Sequence, residues 1–207
     1  MNVDQTRAIV SVLAEQPADV STACAVGDVD APLPNDPRIA PGADVLALVV
    51  AERDCNHRLW HLEDEARRKD AGDAHVAAVK RAIDRWNQRR NDLIERIDET
   101  LLAQLPAPDP ARAEQHSETA GMMIDRLAIL GLKIFHLSTL QARKRAVTID
   151  QECAEKVALL AKQREDLAKC FSRLIEDATA GRRYFKVYRQ FKAYNDPRLN
   201  PALGEES

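Results

Sequence analysis

The placement of proline constrains this chain more than any other feature. All ten prolines fall in a few places: Pro17, then Pro32, Pro34, Pro37 and Pro41, then Pro106, Pro108 and Pro110, then Pro197 and Pro201. Proline lacks a backbone N–H and its ring clashes with the preceding helical turn, so helix interiors exclude it. The long proline-free intervals are therefore where long helices can run. Glycine, with 7 of 207 residues, hardly interrupts them. Its scarcity also argues against a β-sandwich, a glycine-rich phosphate loop or a low-complexity chain.

Apolar spacing fills those intervals. A first helix is expected over about Asp4 to Glu15, followed by an irregular Pro- and Asp-containing stretch from Ala18 to Gly42. Helix two is expected over about Ala43 to Lys69, where Val45, Leu48, Cys55, Leu59, Leu62 and Ala66 recur at three and four. A turn at Asp70 to Asp73 leads into helix three, about Ala74 to Gln104, with Asp73 as N-cap. Its seam is Val76, Val79, Ile83, Trp86, Ile94, Ile97 and Leu101. Helix four, about Ala111 to Arg145, is apolar almost all round between Met122 and Leu140, as the buried centre of a bundle would be. A capping box at Thr148 to Gln151 opens helix five, and Gly181 ends it. No strand pattern is credible. The expected fold is all-α, an antiparallel bundle of about five long helices with a C-terminal basic-aromatic helical segment. Residues 1–42 form an N-terminal helix and loop, 43–180 the bundle, and 181–207 the C-terminal segment and tail.

Thirty Lys and Arg against 33 Asp and Glu give a net charge of −3, which excludes a generic polyanion binder but not a local basic patch. Cys24, Cys55, Cys153 and Cys170 form neither a CxxC pair nor a close metal spacing. The most apolar window, Gly121 to Leu140, contains Asp125, Arg126, Lys133 and His136, too many polar groups for a membrane span. The short apolar run Ala8 to Ala14, flanked by acids, makes a poor signal peptide. A cytoplasmic protein is the expectation.

Function has to be sought where polar residues interrupt the apolar stripes. Helix two carries Glu52, Asn56 and Glu63 beside its seam, and helix three carries Asp84, Asn87, Arg90, Asn91 and Glu95. If the two helices form a hairpin about Gly72, equal rise per residue makes positions summing to about 143 face each other. Asn56 then lies near Asn87, Glu52 near Asn91, and Glu63 near Lys80. Helix four adds Asp125, Lys133 and His136 on nearly one line. Such residues either pair across helices to fix register or line a polar pocket within the bundle. Buried charges left unpaired are costly, so this many must be paired, hydrated or liganded.

Two further constellations stand out. His57 and His61 are four apart with Asp64 three further on, a helical spacing that can hold a transition metal once another segment contributes. His116 and His136 are candidates for that contribution, although two half-exposed histidines beside Trp60 account for the spacing without a metal. At the C-terminal end, Tyr184, Phe185, Tyr188, Phe191 and Tyr194 alternate with Arg182, Arg183, Lys186, Arg189 and Lys192. As a helix this segment either docks Tyr184, Tyr188 and Phe191 on the bundle or offers cations and rings to a phosphorylated ligand. Carboxylates arranged as in helical nucleotide pyrophosphatases would need an ExxE and a later ExxD. Here Glu63, Asp64 and Glu65 are adjacent and the second half reads Asp84-xx-Asn87, so the pattern departs at both ends.

Four ordered blocks carry a family resemblance. They are Asn56-xx-Leu59-Trp60-xx-Glu63-Asp64, the run Ile83 to Asp92, the run Ile124 to Ile134, and Tyr188 to Pro197. Together they resemble the bacterial domain-of-unknown-function family forty-two fifty-four, over about residues 45 to 201, with Ala128 and Ala193 where the family pattern has Ser and Met. The resemblance implies an all-helical fold and a place among genes for glycosyltransferases of lipopolysaccharide and other surface glycans. It implies no activity. Its blocks contain Asn56, Glu63, Asp84, Asn87, Arg90, Asn91, Asp125 and Lys133, with Tyr188, Arg189 and Lys192 from the last one.

These eleven residues are the expected ligand site. The leading expectation is a helical protein that serves surface-glycan assembly by binding an anionic sugar, a nucleotide-sugar or a glycosyltransferase. The alternatives are a metal-dependent enzyme acting on a phosphorylated small molecule through Glu63, Asp64 and Asp84, or a purely structural interaction module. No cofactor is called for by the pattern, with a divalent metal at His57, His61 and Asp64 as the weaker option. The acidic balance disfavours nucleic acid, and a homo-oligomer stays open.

Overall fold

The computed structural model describes residues 3–14, 29–142, 147–189 and 198, with side chains between 141 and 149 left aside. Five α-helices make up most of it: α1 Val3–Ala14, α2 Val45–Glu65, α3 Asp73–Leu102, α4 Ala120–Ala142 and α5 Val147–Thr179. A two-residue parallel pair, β1 Glu114–Gln115 and β2 Arg183–Tyr184, is the remaining extended structure among the described residues. The fold is an all-α helical bundle, as the proline spacing requires.

Each helix starts and stops for a local reason. Asp44 caps α2, its carboxylate accepting the Ala47 amide at 3.0 Å. The helix ends at Glu65, short of Lys69, because Ala66, Arg67 and Arg68 tighten into turns. Gly72, not Asp73, is the N-cap of α3, and Asp73 sits in its acidic first turn. At the far end of α5, Gly181 adopts φ 70° while its amide reaches Ala178 O and the Arg182 amide reaches Asp177 O. That is the Schellman geometry a glycine favours.

Two expected helical stretches are extended instead. Helix four begins at Ala120, nine residues later than the apolar pattern suggests. The preceding chain is drawn into β1, where the Glu114 amide donates to Arg182 O at 2.9 Å and the His116 amide to Tyr184 O at 2.7 Å. By the same pairing the basic-aromatic segment is a strand at Arg183–Tyr184 and irregular from there to Arg189. Residues 190–197 lie outside the described residues, so the rest of that segment is not placed.

The core takes Ile9 and Leu13 from α1, Leu48, Val49, Cys55 and Leu62 from α2, Leu93, Ile97 and Leu101 from α3, Met123, Ile124 and Leu127 from α4, and Phe171 and Leu174 from α5. α1 is thus part of the same core as the rest. α4 is deeply buried only in its first half, since Lys133 is exposed and the helix is half-buried beyond it. The hairpin register holds: Glu63 meets Lys80 at 4.0 Å, and the Cys55 thiol donates to Trp86 O at 3.3 Å. A row of α3 arginines fastens the 29–44 loop to the bundle, with Arg89 donating to Pro34 O at 2.7 Å and Arg96 to Ala40 O at 3.1 Å. No described helix is long and apolar enough to cross a membrane.

Candidate functional site

Where α2, α3 and α4 meet, a cleft of about 480 Å³ opens to solvent. α2 contributes one line of residues at helical spacing, Asn56, Trp60, Glu63, Asp64 and Arg67; α3 contributes Asn87 and Arg90; α4 contributes Lys133 with Ile129 and Leu132. The spacing alone puts these α2 side chains on one face.

The back of the cleft is a buried polar centre. Glu52 is fully buried, and the Asn56 amide donates to Glu52 Oε1 and, at 2.9 Å, to Asp125 Oδ1. Arg90 Nε stands 3.7 Å from the same Asp125 oxygen. Burial, followed by the facing carboxyl of Asp125, holds Glu52 well above the usual carboxylate range, against the opposing pull of Arg90 and Arg53. That direction favours the protonated form of Glu52. Its Oε2 is buried and has no hydrogen-bond partner among the described residues. Two acids, one amide and one guanidinium thus meet in this centre, where Arg90 is the cation nearest Asp125.

At the mouth the charges are looser. Glu63 pairs with Arg67 at 3.0 Å and with Lys80 at 4.0 Å. Lys133 is exposed and has no ion pair among the described residues. Three cations, Arg67, Arg90 and Lys133, thus face one void alongside two carboxylates, two side-chain amides and the half-buried Trp60 ring.

Of the eleven expected residues, the structure brings Asn56, Glu63, Asn87, Arg90 and Lys133 to the cleft lining and sets Asp125 behind them. Asn91 is buried on α3 and does not reach the lining. Asp84 is exposed, away from Glu63 and Asp64, so those three carboxylates do not gather into one metal-binding group. Tyr188 is 71% exposed and is not among the residues that line this cleft. Arg189 is committed to Glu99 at 2.6 Å and Glu95 at 3.3 Å on α3, and Lys192 lies outside the described residues. Two further tail cations are similarly engaged, Arg182 with Asp177 at 2.5 Å and Arg183 with Glu114 at 3.1 Å. The neighbouring acids come from α3, α5 and β1, which sequence spacing does not bring together.

Trp60 and Arg67 were missed as site residues, although Asn56, Trp60, Glu63 and Arg67 step by four, three and four along α2. The histidines also form a group. His57, His61 and His136 approach one another, with His136 as the contribution from a second segment and Asp64 outside the group. Burial lowers the pKa of all three, that of His57 to about 4 with its two histidine neighbours adding to the effect. Asp64 instead lines the cleft. His116 is engaged elsewhere, its Nδ1 2.8 Å from Glu118 O.

A helical bundle with a polar cleft among three helices is a common architecture for binding small polar ligands. The family model described as protein of unknown function, DUF4254, matches residues 46–187, well over half of the chain. The chain belongs to that family, the forty-two fifty-four family of the four sequence blocks. The match encloses every residue of the cleft and ends just before Tyr188. No curated protein and no solved structure matches the chain.

Proposed function

We propose that the cleft binds a small anionic, hydroxyl-rich molecule of the sugar-phosphate or nucleotide-sugar class, and that the protein serves surface-glycan assembly through this binding. The observation that carries the reading is the convergence of Arg67, Arg90 and Lys133 on one void that also presents Asn56, Asn87 and Trp60. Guanidinium and ammonium groups complement phosphate. Amides and the remaining carboxylates suit hydroxyls, and the indole offers an apolar face to a sugar ring. Lys133 is the cation with the least to lose, since no carboxylate among the described residues holds it in place. The surface-glycan setting comes from the family resemblance alone.

Calorimetric titration and thermal shift test the reading, with nucleotide-sugars, sugar phosphates, inorganic phosphate and the neutral parent sugars as ligands. A sugar phosphate or nucleotide-sugar is expected to stabilise the fold, by about 2.7 kcal/mol at a hundredfold excess over its Kd. Lys133→Glu and Asn87→Ala are expected to cut affinity at least about tenfold without lowering the unliganded Tm. If no anionic sugar binds, or if Lys133→Glu leaves affinity unchanged, the reading fails.

A further inference from the structure

Trp60, which lines the cleft, stacks on His136 with ring centres 4.3 Å apart and planes within 5°. His136 belongs to a second constellation that the cleft does not use. We propose that His57, His61 and His136 form a binding site for a divalent transition metal ion, with Zn2+ the best match to the donor set.

The argument begins with helix geometry. His57 and His61 lie four apart on α2, so both rings leave the same face, and α4 crosses that face at His136. One ring nitrogen from each histidine lies within 4.8 Å of the other two. Around a tetrahedral ion with metal–nitrogen bonds of about 2.0–2.1 Å, the nitrogens stand about 3.4 Å apart and the ring centres about 5 Å apart. Here the ring centres are 4.9, 5.8 and 6.1 Å apart. Closing the set onto an ion takes a shift of about 1 Å, which side-chain rotation within a rotamer well provides.

A second observation is independent of the spacing. Nε2 of His61 and Nε2 of His136 are both buried and have no hydrogen-bond partner. Buried polar atoms are rarely left so, and each such case calls for a cause. An apolar ring would pack against Trp60 and Phe135 equally well and leave no nitrogen unsatisfied. A cation shared among the three rings would occupy these nitrogens. The all-nitrogen donor set selects zinc and its neighbours over magnesium or calcium, which take oxygen. Three protein ligands leave a coordination position for water or a further ligand.

The site is tested on the untagged full-length chain, stripped with a chelator and titrated with Co2+ alone. The expected result is the visible absorption of a tetrahedral nitrogen-ligated Co2+, displaced by Zn2+. Loss of an outer-shell partner typically costs 10–100-fold in metal affinity, so His61→Gln and His136→Gln are each expected to weaken Co2+ binding by about 100-fold or more. His75→Gln, at an exposed histidine outside the group, is expected to change nothing. Helical circular dichroism checks that the variants fold. X-ray absorption of the Zn2+-loaded wild-type protein reads the ligands without any variant, and is expected to show multiple imidazoles. No visible band from the folded wild-type protein, binding that survives both substitutions, or a zinc shell without multiple imidazoles would each overturn the proposal.

Discussion

Glu52 on α2 and Asp98 on α3 are both sunk into the bundle, and both turn their carboxyls toward α4, yet their surroundings differ. Asp98 is 2% exposed and accepts the Gly121 amide at 2.6 Å, with the Thr119 hydroxyl as a second donor. The Gly121 amide belongs to the first turn of α4, whose free amides need an acceptor, and Thr119 directly precedes that turn. Every group in that centre is used up locally. Glu52 instead belongs to a chain of contacts through Asn56, Asp125 and Arg90, whose outer members line the open cleft. A buried charge with all its donors at hand works as a joint between helices. A buried acid whose network ends in half-buried side chains forms the back wall of a site.

The joint should be the more expensive to break. At Gly121 an added Cβ would meet Ile94 O at 2.6 Å and Asp98 Oδ2 at 2.9 Å. The nearer neighbour is helix backbone and cannot move aside. Gly121→Ala is expected to cost about 3 kcal/mol, read by urea unfolding, despite the better helix propensity of alanine. Full stability in that variant would mean that α3 and α4 do not approach so closely.

The joint also carries a pH signature. Burial, with Glu95 and Glu99 adding to it, pushes Asp98 up from 3.8 to about 6, against the two hydrogen bonds that lower it. The folded state then holds its proton more tightly than the unfolded chain. The resulting stabilisation is complete below about pH 4 and is lost as pH rises through about 6, amounting to roughly 3 kcal/mol. Asp98→Asn keeps an acceptor for Gly121 and lacks the titration. The stability difference between wild type and Asp98→Asn, followed from pH 4 to 7, is expected to slope in that sense. A flat difference would show that Asp98 is not buried as a joint.

At the cleft wall, Asn56→Ala strips the donor from both Glu52 Oε1 and Asp125 Oδ1, and is expected to cost about 2 kcal/mol. Glu52→Gln is expected to cost less than about 1 kcal/mol, because a protonated acid and an amide offer the same acceptor and donor. Chemical denaturation distinguishes the two. A Glu52→Gln loss as large as that of Asn56→Ala would mean that Glu52 is charged in the folded protein.

Much of this was legible in the sequence, for identifiable reasons. Proline exclusion and apolar spacing are local rules, so five helices and the α2–α3 register, down to Glu63 meeting Lys80, follow from them. The interrupted stripes pointed to Asn56, Asn87, Arg90 and Lys133, since a polar residue beside a seam must face another helix. What could not be read is pairing between distant segments. Residues 114–115 and 183–184 are far apart in the chain, and only their meeting turns two helix-like stretches into strands. His136 could be listed as a partner for His57 and His61, but only the crossing of α4 over α2 distinguishes it from His116.

The tail offers the smallest expected effect and the sharpest contrast with the cleft. Its arginines match those of the cleft in chemistry, yet Arg189 is answered by Glu95 and Glu99 while its side chain stays 74% exposed. Exposed pairs of this kind are worth about 0–1 kcal/mol. Arg189→Ala is therefore expected to lower stability by no more than about 1 kcal/mol and to leave anionic-sugar affinity unchanged, whereas Lys133→Glu does the reverse. Measuring both variants by urea unfolding and by titration places the two basic regions on separate axes. A loss of ligand affinity in Arg189→Ala would join the tail to the cleft, and the ion pairs with α3 would then be a resting state that the ligand displaces.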